Sequence, residues 1–134
     1  MYLLDTNICI FAINKRPANV LERIKSKLKN GISISALTIA ELEYGIELST
    51  HIEDNRIALL KFISLFDVLK YDDDDAIKYG RLKANLKKAG KIIGPIDMLL
   101  ASQALSKDLI FVTNNIAEFT RIDGLIIEDW SKDK

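Results

Sequence analysis

The chain has 134 residues, 49% of them hydrophobic and 28% charged, and its 19 basic and 19 acidic residues give a formal net charge of zero. This composition is ordinary for a globular protein, and the length predicts a single domain over residues 1–134. Zero net charge gives no support for nucleic-acid binding through bulk charge, so any such binding must use a local patch. The single cysteine, Cys9, excludes an internal disulfide.

The beginning of the chain predicts a cytoplasmic protein. It lacks the basic region of a secretory signal, and Asp5 interrupts its apolar residues. The apolar run Ile8–Ile13 is far shorter than the roughly 20 residues that a membrane span needs. We therefore expect no membrane association, and we interpret Cys9, which lies in that run, as a packing residue.

The first half of the chain alternates short strands with helices. Apolar residues predict strands at 2–5 and 32–35, and helical spacing predicts four helices. These helices cover 7–13, the segment from Pro17 to Asn30-Gly31, the segment from Thr38 to about Leu48, and a segment beginning at Asp54. In the last of them we expect Ile57, Leu60 and Ile63 to face inward.

The second half continues the pattern. Strands are predicted at 66–71, 109–113 and 125–127, with a loop or short turn at 114–119. The acidic run Asp72–Asp75 opens a helix that extends to Ala89, where we expect a solvated helix start. A further helix runs from Gly94-Pro95 to about Ser106. Alternating strands and helices predict an α/β fold with a mainly parallel sheet covered by helices on both faces.

Three acidic residues lie where strands end or helices begin, and each has an ordinary structural explanation. Asp5 could cap a helix, Glu41 could form a capping box with Thr38, and Asp97 suits a first helical turn. However, strand ends and helix starts share one edge of a parallel α/β sheet, so the three carboxylates would converge there. Their repulsion would raise at least one pKa. A bound Mg²⁺ or Mn²⁺, which prefers oxygen ligands, would relieve it and would suit phosphodiester hydrolysis.

These acids belong to five motifs spread over nearly the whole chain. The motifs are Leu4-Asp5-Thr6-Asn7, Thr38-Ile-Ala-Glu41-Leu-Glu-Tyr-Gly45, Ile93-Gly94-Pro-Ile-Asp97, Val112-Thr113-Asn114-Asn115, and Glu118–Leu125 with Glu128-Asp-Trp130. In this order and spacing they resemble the PIN-domain nucleases, and more narrowly the VapC-type toxins of toxin–antitoxin systems. The resemblance implies a three-layer α/β/α sandwich and Mg²⁺-dependent endoribonuclease activity on structured RNA such as tRNA. It also implies a homodimer and a cognate VapB-type antitoxin.

The resemblance also implies roles for individual residues. Asp5 and Asp97 would be the main metal ligands, and Glu41 would complete the acidic group directly or through a water. Thr6 and Thr113 would supply hydroxyls at the edge of the site. Many family members carry a fourth acid where this chain has Asn115, so we assign one metal ion rather than two and expect Glu118 to replace part of the missing charge. Glu41 or Glu118 would orient the attacking water or accept its proton.

A basic stripe precedes the third acidic motif. It consists of Lys78, Arg81, Lys83, Lys87, Lys88 and Lys91. Such a stripe beside a metal site could bind RNA phosphates, although a solvated helix face would show the same residues. Two other functions stay open: a PIN-like scaffold that binds RNA or a partner without cleavage, and a phosphoryl-accepting signalling domain. The second would need paired acids after the first strand, where this chain has only Asp5.

Overall fold

The computed structural model describes residues 1–132, so the last two residues of the predicted domain lie outside the described residues. Five strands alternate with helices in this part of the chain. The strands are β1 (Tyr2–Leu4), β2 (Ile32–Ser35), β3 (Asp67–Leu69), β4 (Ile110–Val112) and β5 (Ile127–Glu128). The helices are α1 (Thr6–Asn14), α2 (Ala18–Lys27) with a 3₁₀ turn at Leu28–Asn30, α3 (Ala36–Glu47), α4 (Ile52–Ile63), α5 (Asp73–Lys88), α6 (Pro95–Ser106) and α7 (Ile116–Phe119).

The strands form one sheet in the order β3-β2-β1-β4-β5, and each neighbouring pair is parallel. In the centre of the sheet Leu4 is level with Ile34 and Val112. The chain builds outward from β1 to one side and then to the other, so the strand order reverses between β1 and β4. In open α/β sheets, the carboxyl ends of the strands at such a reversal form the usual ligand crevice.

Helices cover both faces of the sheet, which confirms the predicted three-layer α/β/α sandwich. Successive residues of a strand point to opposite faces, so Leu4 packs in the core under α1–α4 whereas Leu3 packs in the core under α5 and α6. Trp130 is fully buried in the first core, with its ring 5.0 Å from that of Tyr2 in an edge-on arrangement. Within residues 1–132 no helix has the length and apolar character needed to cross a bilayer.

Several element ends differ from the prediction. Helix α3 begins at Ala36 because Ser35 caps it, with its Oγ accepting the Leu37 N–H at 3.1 Å. Thr38 lies buried inside α3, so the predicted start at Thr38 and its capping box with Glu41 are wrong. Helix α4 begins at Ile52 rather than Asp54, the predicted loop contains α7, and β5 begins two residues later than expected.

Helix α4 also faces a different way from the prediction. Ile57 and Leu60 are 52% and 59% exposed, and the buried side chains are Leu59 and Phe62. Of the three residues predicted to face inward, only Ile63 packs against the core. In this orientation α4 makes an ionic contact with α3, because the Arg56 guanidinium lies 2.8 Å from Glu43 and 3.1 Å from Glu47.

The acidic run before α5 is only partly solvated. Asp72, Asp73 and Asp74 are exposed, but Asp75 is fully buried. Asp72 and Asp75 form a capping box in which each side chain accepts the backbone N–H of the other, at 3.1 and 3.0 Å. The prediction of a solvated helix start is therefore wrong for Asp75.

Candidate active site

Asp5 follows β1 directly at the edge where the strands end, called here the carboxyl edge. Its backbone N–H donates to the Val112 carbonyl at 2.8 Å, which ties it to the end of β4. Its Oδ1 accepts the Thr6 N–H at 2.7 Å and caps α1, and its Oδ2 accepts the Thr113 hydroxyl at 2.7 Å. Only 5% of Asp5 is exposed, and both of its carboxylate oxygens are held in place.

Glu41 projects from α3 toward the same edge and is exposed. Its Oε1 accepts the Thr6 hydroxyl at 2.5 Å, and that hydroxyl also lies 3.2 Å from the buried Thr38 Oγ1. Thr6 therefore links the start of α1 to α3. Thr38 contributes to this contact, although the sequence suggested for it only a capping role.

Asp97 and Glu118 complete the group of acids. Asp97 lies in the first turn of α6, and Glu118 lies on α7. The Asn115 amide donates to Glu118 Oε2 at 2.5 Å, and the Gly94 N–H points at Glu118 Oε1 from 3.5 Å. The Asn115 backbone N–H in turn donates to the Thr113 hydroxyl at 3.1 Å. We call Asp5, Glu41, Asp97 and Glu118 the acidic cluster.

Burial and neighbouring negative charge raise the pKa values of two acids of this cluster, Asp97 and Asp5. The pKa of Asp97 rises to about 7, first because the carboxyl is partly desolvated and then because of the charges of Asp5 and Glu118, with a smaller contribution from Glu41. Burial also raises the pKa of Asp5, and the Glu41 and Glu118 charges add to this effect, whereas the hydrogen bonds from Thr113 and Thr6 oppose it. A cation placed among these carboxylates would remove the repulsion.

The donor set fits a magnesium-type ion with few protein ligands. Within residues 1–132 no three acidic, histidine or cysteine side chains are close enough together to enclose one ion. Mg²⁺ commonly uses one or two carboxylates and keeps several waters. An ion held by Asp5 and Asp97, with water completing its coordination, would therefore fit this donor set better than a cage of three carboxylates.

The structure brings together seven predicted residues at the carboxyl edge. They are Asp5, Thr6, Glu41, Asp97, Thr113, Asn115 and Glu118.

The residues of the predicted basic stripe, in contrast, do not all lie on one surface. Lys78, Arg81 and Lys91 line a groove beside α5 that also contains Arg121, a residue that the sequence analysis did not single out. Lys83 lies over the Tyr79 ring instead, 5.6 Å from its centre.

Comparisons with known proteins agree with this architecture. The family model described as PIN domain matches residues 2–125. The chain is 46% identical over 131 residues to the tRNA(fMet)-specific endonuclease VapC of Shigella flexneri, covering 97% of this chain and 98% of the relative. It is 41% identical over 133 residues to Ribonuclease VapC2 of Rickettsia felis, covering 98% and 99%.

Solved structures of VapBC complexes match the fold of this chain over nearly its full length. The crystal structure of VapBC2 from Rickettsia felis bound to a promoter DNA fragment matches with a TM-score of 0.91 at 40% identity, covering 96% of this chain and 98% of that one. The structure of DNA-bound VapBC from Salmonella typhimurium matches with a TM-score of 0.91 at 43% identity, covering 96% and 97%. The relatives from Shigella flexneri and Rickettsia felis are named as an endonuclease and a ribonuclease, which favours an enzyme over the scaffold and the signalling domain. The chain belongs to the PIN-domain family and, within it, to the VapC ribonuclease toxins.

Proposed function

We propose that this ribonuclease cleaves tRNA with the help of a Mg²⁺ or Mn²⁺ ion held by Asp5 and Asp97, and that a cognate VapB-type antitoxin neutralises it. The observation that carries the proposal is the convergence of four carboxylates at the carboxyl edge, where the pKa of Asp97 rises to about 7. Without a cation this arrangement costs free energy, which is characteristic of a functional site.

Each residue of the site has a distinct task in this proposal. Asp5 and Asp97 hold the ion, which when bound would stabilise charge on the scissile phosphate and lower the pKa of water. Glu41 and Glu118 orient the attacking water or accept its proton. Thr6 and Thr113 hold the carboxylates of Glu41 and Asp5 through their hydroxyls, and Asn115 holds Glu118.

The proposed substrate is the initiator tRNA. Two relatives, from Shigella flexneri and Salmonella typhimurium, are described as tRNA(fMet)-specific endonucleases at 46% and 43% identity over nearly the full chain. The position of the four acids and their hydrogen-bond partners supports phosphodiester hydrolysis, and the names of these relatives support tRNA(fMet) as the substrate.

The test uses purified, antitoxin-free protein with tRNA(fMet), other tRNAs and structured RNAs, in Mg²⁺, Mn²⁺ or EDTA. We expect discrete cleavage of tRNA(fMet) that EDTA abolishes. Asp5→Asn and Asp97→Asn should each reduce the rate by at least about 100-fold, because each removes a charge needed for the ion. Asp54→Asn, which changes an exposed acid on α4, is the matched control. A folded Asp5→Asn protein with near-normal metal-dependent cleavage would refute the assignment.

The antitoxin has a candidate docking site next to the acidic cluster. A groove of about 320 Å³ between α1, α3 and α4 is lined mainly by apolar residues, and Thr6 and Glu41 are among its polar lining residues. Two matching structures are VapBC complexes. A chain segment with an apolar face, seated here, would cover Glu41 and block access to the site.

A charge placed in this groove should separate neutralisation from catalysis. Ala58 on α4 lines the groove and is exposed, so Ala58→Glu should weaken antitoxin binding and leave RNA cleavage intact. Ala84→Glu, an equivalent change at an exposed position of α5, is the control. If the antitoxin neutralises Ala58→Glu as well as the wild type, it binds to another surface.

A further inference from the structure

A second groove, of about 460 Å³, lies between α5 and the segment 121–124. Four cationic side chains line it, and Asp123 is the one acid among its lining residues. The cations are Lys78 and Arg81 from α5, Lys91 from the turn after α5, and Arg121 from the segment after α7. We call this the cationic groove.

The positive charge of the cationic groove is not neutralised by neighbouring acids. Within residues 1–132 none of its four cations lies within 4.0 Å of a carboxylate oxygen, whereas Arg56 and Lys107 each contact two acids. Arg81, Lys91 and Arg121 are also exposed. In a chain with no net charge, this local excess is available to a polyanion.

One end of the cationic groove adjoins the acidic cluster. The Arg121 guanidinium donates to the Ile92 carbonyl at 3.4 Å, and Gly94, two residues further, points its N–H at Glu118 from 3.5 Å. The short segment from Lys91 to Asp97 therefore has the groove at one end and a proposed metal ligand at the other. A strand of nucleic acid at the acidic cluster can continue directly into the groove.

The two surfaces have opposite and complementary charge. The acidic cluster repels phosphates unless a cation is bound, so it cannot supply much of the attraction for RNA. A row of unpaired cations next to it can, because phosphate contacts provide most of the affinity of sequence-independent nucleic-acid binding.

We propose that the cationic groove binds the sugar-phosphate backbone of the substrate RNA beyond the cleavage site, with Lys78, Arg81, Lys91 and Arg121 as phosphate contacts. This inference rests on the proposed ribonuclease function and extends it. It narrows the predicted basic stripe to one side of α5 and adds Arg121. RNA binding in the groove lowers KM, whereas kcat depends on the acidic cluster.

The test measures binding of a fluorescent 12-nucleotide oligouridine in EDTA, where no cleavage occurs, at several salt concentrations. Lys78→Gln/Arg81→Gln should weaken binding roughly tenfold at 0.1 M salt and flatten the plot of log Kd against log salt by about 1.4, since each lost single-strand phosphate contact is worth about 0.7. Arg81→Gln/Lys91→Gln, which changes only exposed residues, should do the same. Lys25→Ala/Lys29→Ala on the other face of the sheet removes equal charge and is the control.

Several results would refute the proposed role of the groove. One is unchanged affinity for oligouridine in both groove variants, and another is an equal loss of affinity in the control or in Lys83→Gln/Lys87→Gln. A third is a polyglutamate peptide that binds the wild type as tightly as oligouridine does. The proposed function fails separately. If RNA is cleaved but the groove variants bind normally, only the groove is refuted. If binding depends on the groove but no RNA is cut, only the proposed cleavage is refuted.

Discussion

Asp5 serves the fold and the site with different oxygens. Its Oδ1 caps α1 through the Thr6 N–H, and its Oδ2 accepts the Thr113 hydroxyl. Hydrogen bonds to a charged group are worth roughly 1.5–3 kcal/mol each, so the two bonds offset much of the cost of burying this carboxylate. The same bonds fix its orientation, which a metal ligand needs.

In the proposed mechanism, Asn115 positions the Glu118 carboxylate. Its amide donates to Glu118 Oε2 at 2.5 Å and its own backbone is tied to Thr113. We expect Asn115→Ala to reduce kcat about tenfold with an unchanged melting temperature, because residues that orient a metal site typically contribute 10- to 100-fold. Asn115→Gln, which keeps the amide, should recover part of kcat.

Asn30→Ala controls for loss of an amide. Asn30 precedes β2, at the end of the sheet opposite the carboxyl edge, and its replacement should leave kcat unchanged. A normal kcat for Asn115→Ala would mean that Glu118 needs no support or has no part in the reaction.

At the scale of elements, α5 and α6 are joined by a partly buried ionic contact. Lys107, just after α6, places its Nζ 2.5 Å from Asp72 and 3.2 Å from the fully buried Asp75. The Asp72 carboxylate raises the pKa of Lys107, and Lys107 lowers that of Asp72. The contact lies at the opposite end of these helices from Asp97, so it stabilises the pair without touching the site.

Lys107→Met should therefore destabilise the protein without impairing the chemistry. It leaves the Asp75 carboxylate buried without a countercharge, a change that costs about 3–5 kcal/mol for a fully buried pair. Because Lys107 is 28% exposed, we expect a smaller loss than for a fully buried pair. Urea unfolding gives the free energy, and kcat at 25 °C should stay normal. Lys61→Met, at an exposed position of α4, is the control, and an equal effect there would contradict the role of this contact.

The sequence predicts the elements better than their orientation. Strand and helix order follow from hydrophobic spacing, and this order alone brings Asp5, Glu41 and Asp97 to one edge. The inward face of α4 could not be predicted in this way, because five of the six residues from Ile57 to Phe62 are apolar, all but Lys61, and they do not define a single face. The contact of Arg56 with α3 and the position of Arg121 beside Ile92 both depend on residues distant in sequence.

At the scale of the whole molecule, an exposed apolar surface on α3 supports the homodimer that the family resemblance implies. Tyr44 and Leu48, one turn apart, are 68% and 70% exposed, and exposed apolar patches commonly mark interfaces. Light scattering should give twice the 15.1 kDa mass of one chain. Leu48→Lys should yield monomers, since burying the ammonium would be costly.

Ile126→Lys makes the same change at a residue that is 64% exposed beside β5, and it should leave the mass unchanged. A monomeric wild-type protein would contradict the dimer. A dimer that persists in Leu48→Lys would place the interface elsewhere.

We expect the acidic cluster to make the stability of the whole protein depend on pH and on a bound metal ion. The pKa of Asp97 is about 7 in the folded state, so the folded protein keeps this proton up to about pH 7, whereas the unfolded chain loses it near the ordinary aspartate pKa of 3.8. Between these values the folded state binds more protons, so the free energy of unfolding falls as the pH rises. In EDTA, Asp97→Asn should therefore melt higher than the wild type at pH 8 and close to it at pH 4.

Metal should reverse that order, because an ion that binds only the folded state stabilises it. At pH 8, Mn²⁺ should raise the melting temperature of the wild type and have little effect on Asp97→Asn. Ion affinity should increase as the pH rises from 5 to 8, since protons compete for the same carboxylates. Equal responses of the two proteins to Mn²⁺ would show that the ion binds elsewhere. If, in EDTA, the melting temperature of the wild type exceeded that of Asp97→Asn by an amount that increases with pH, the carboxylates would not repel one another as their positions imply.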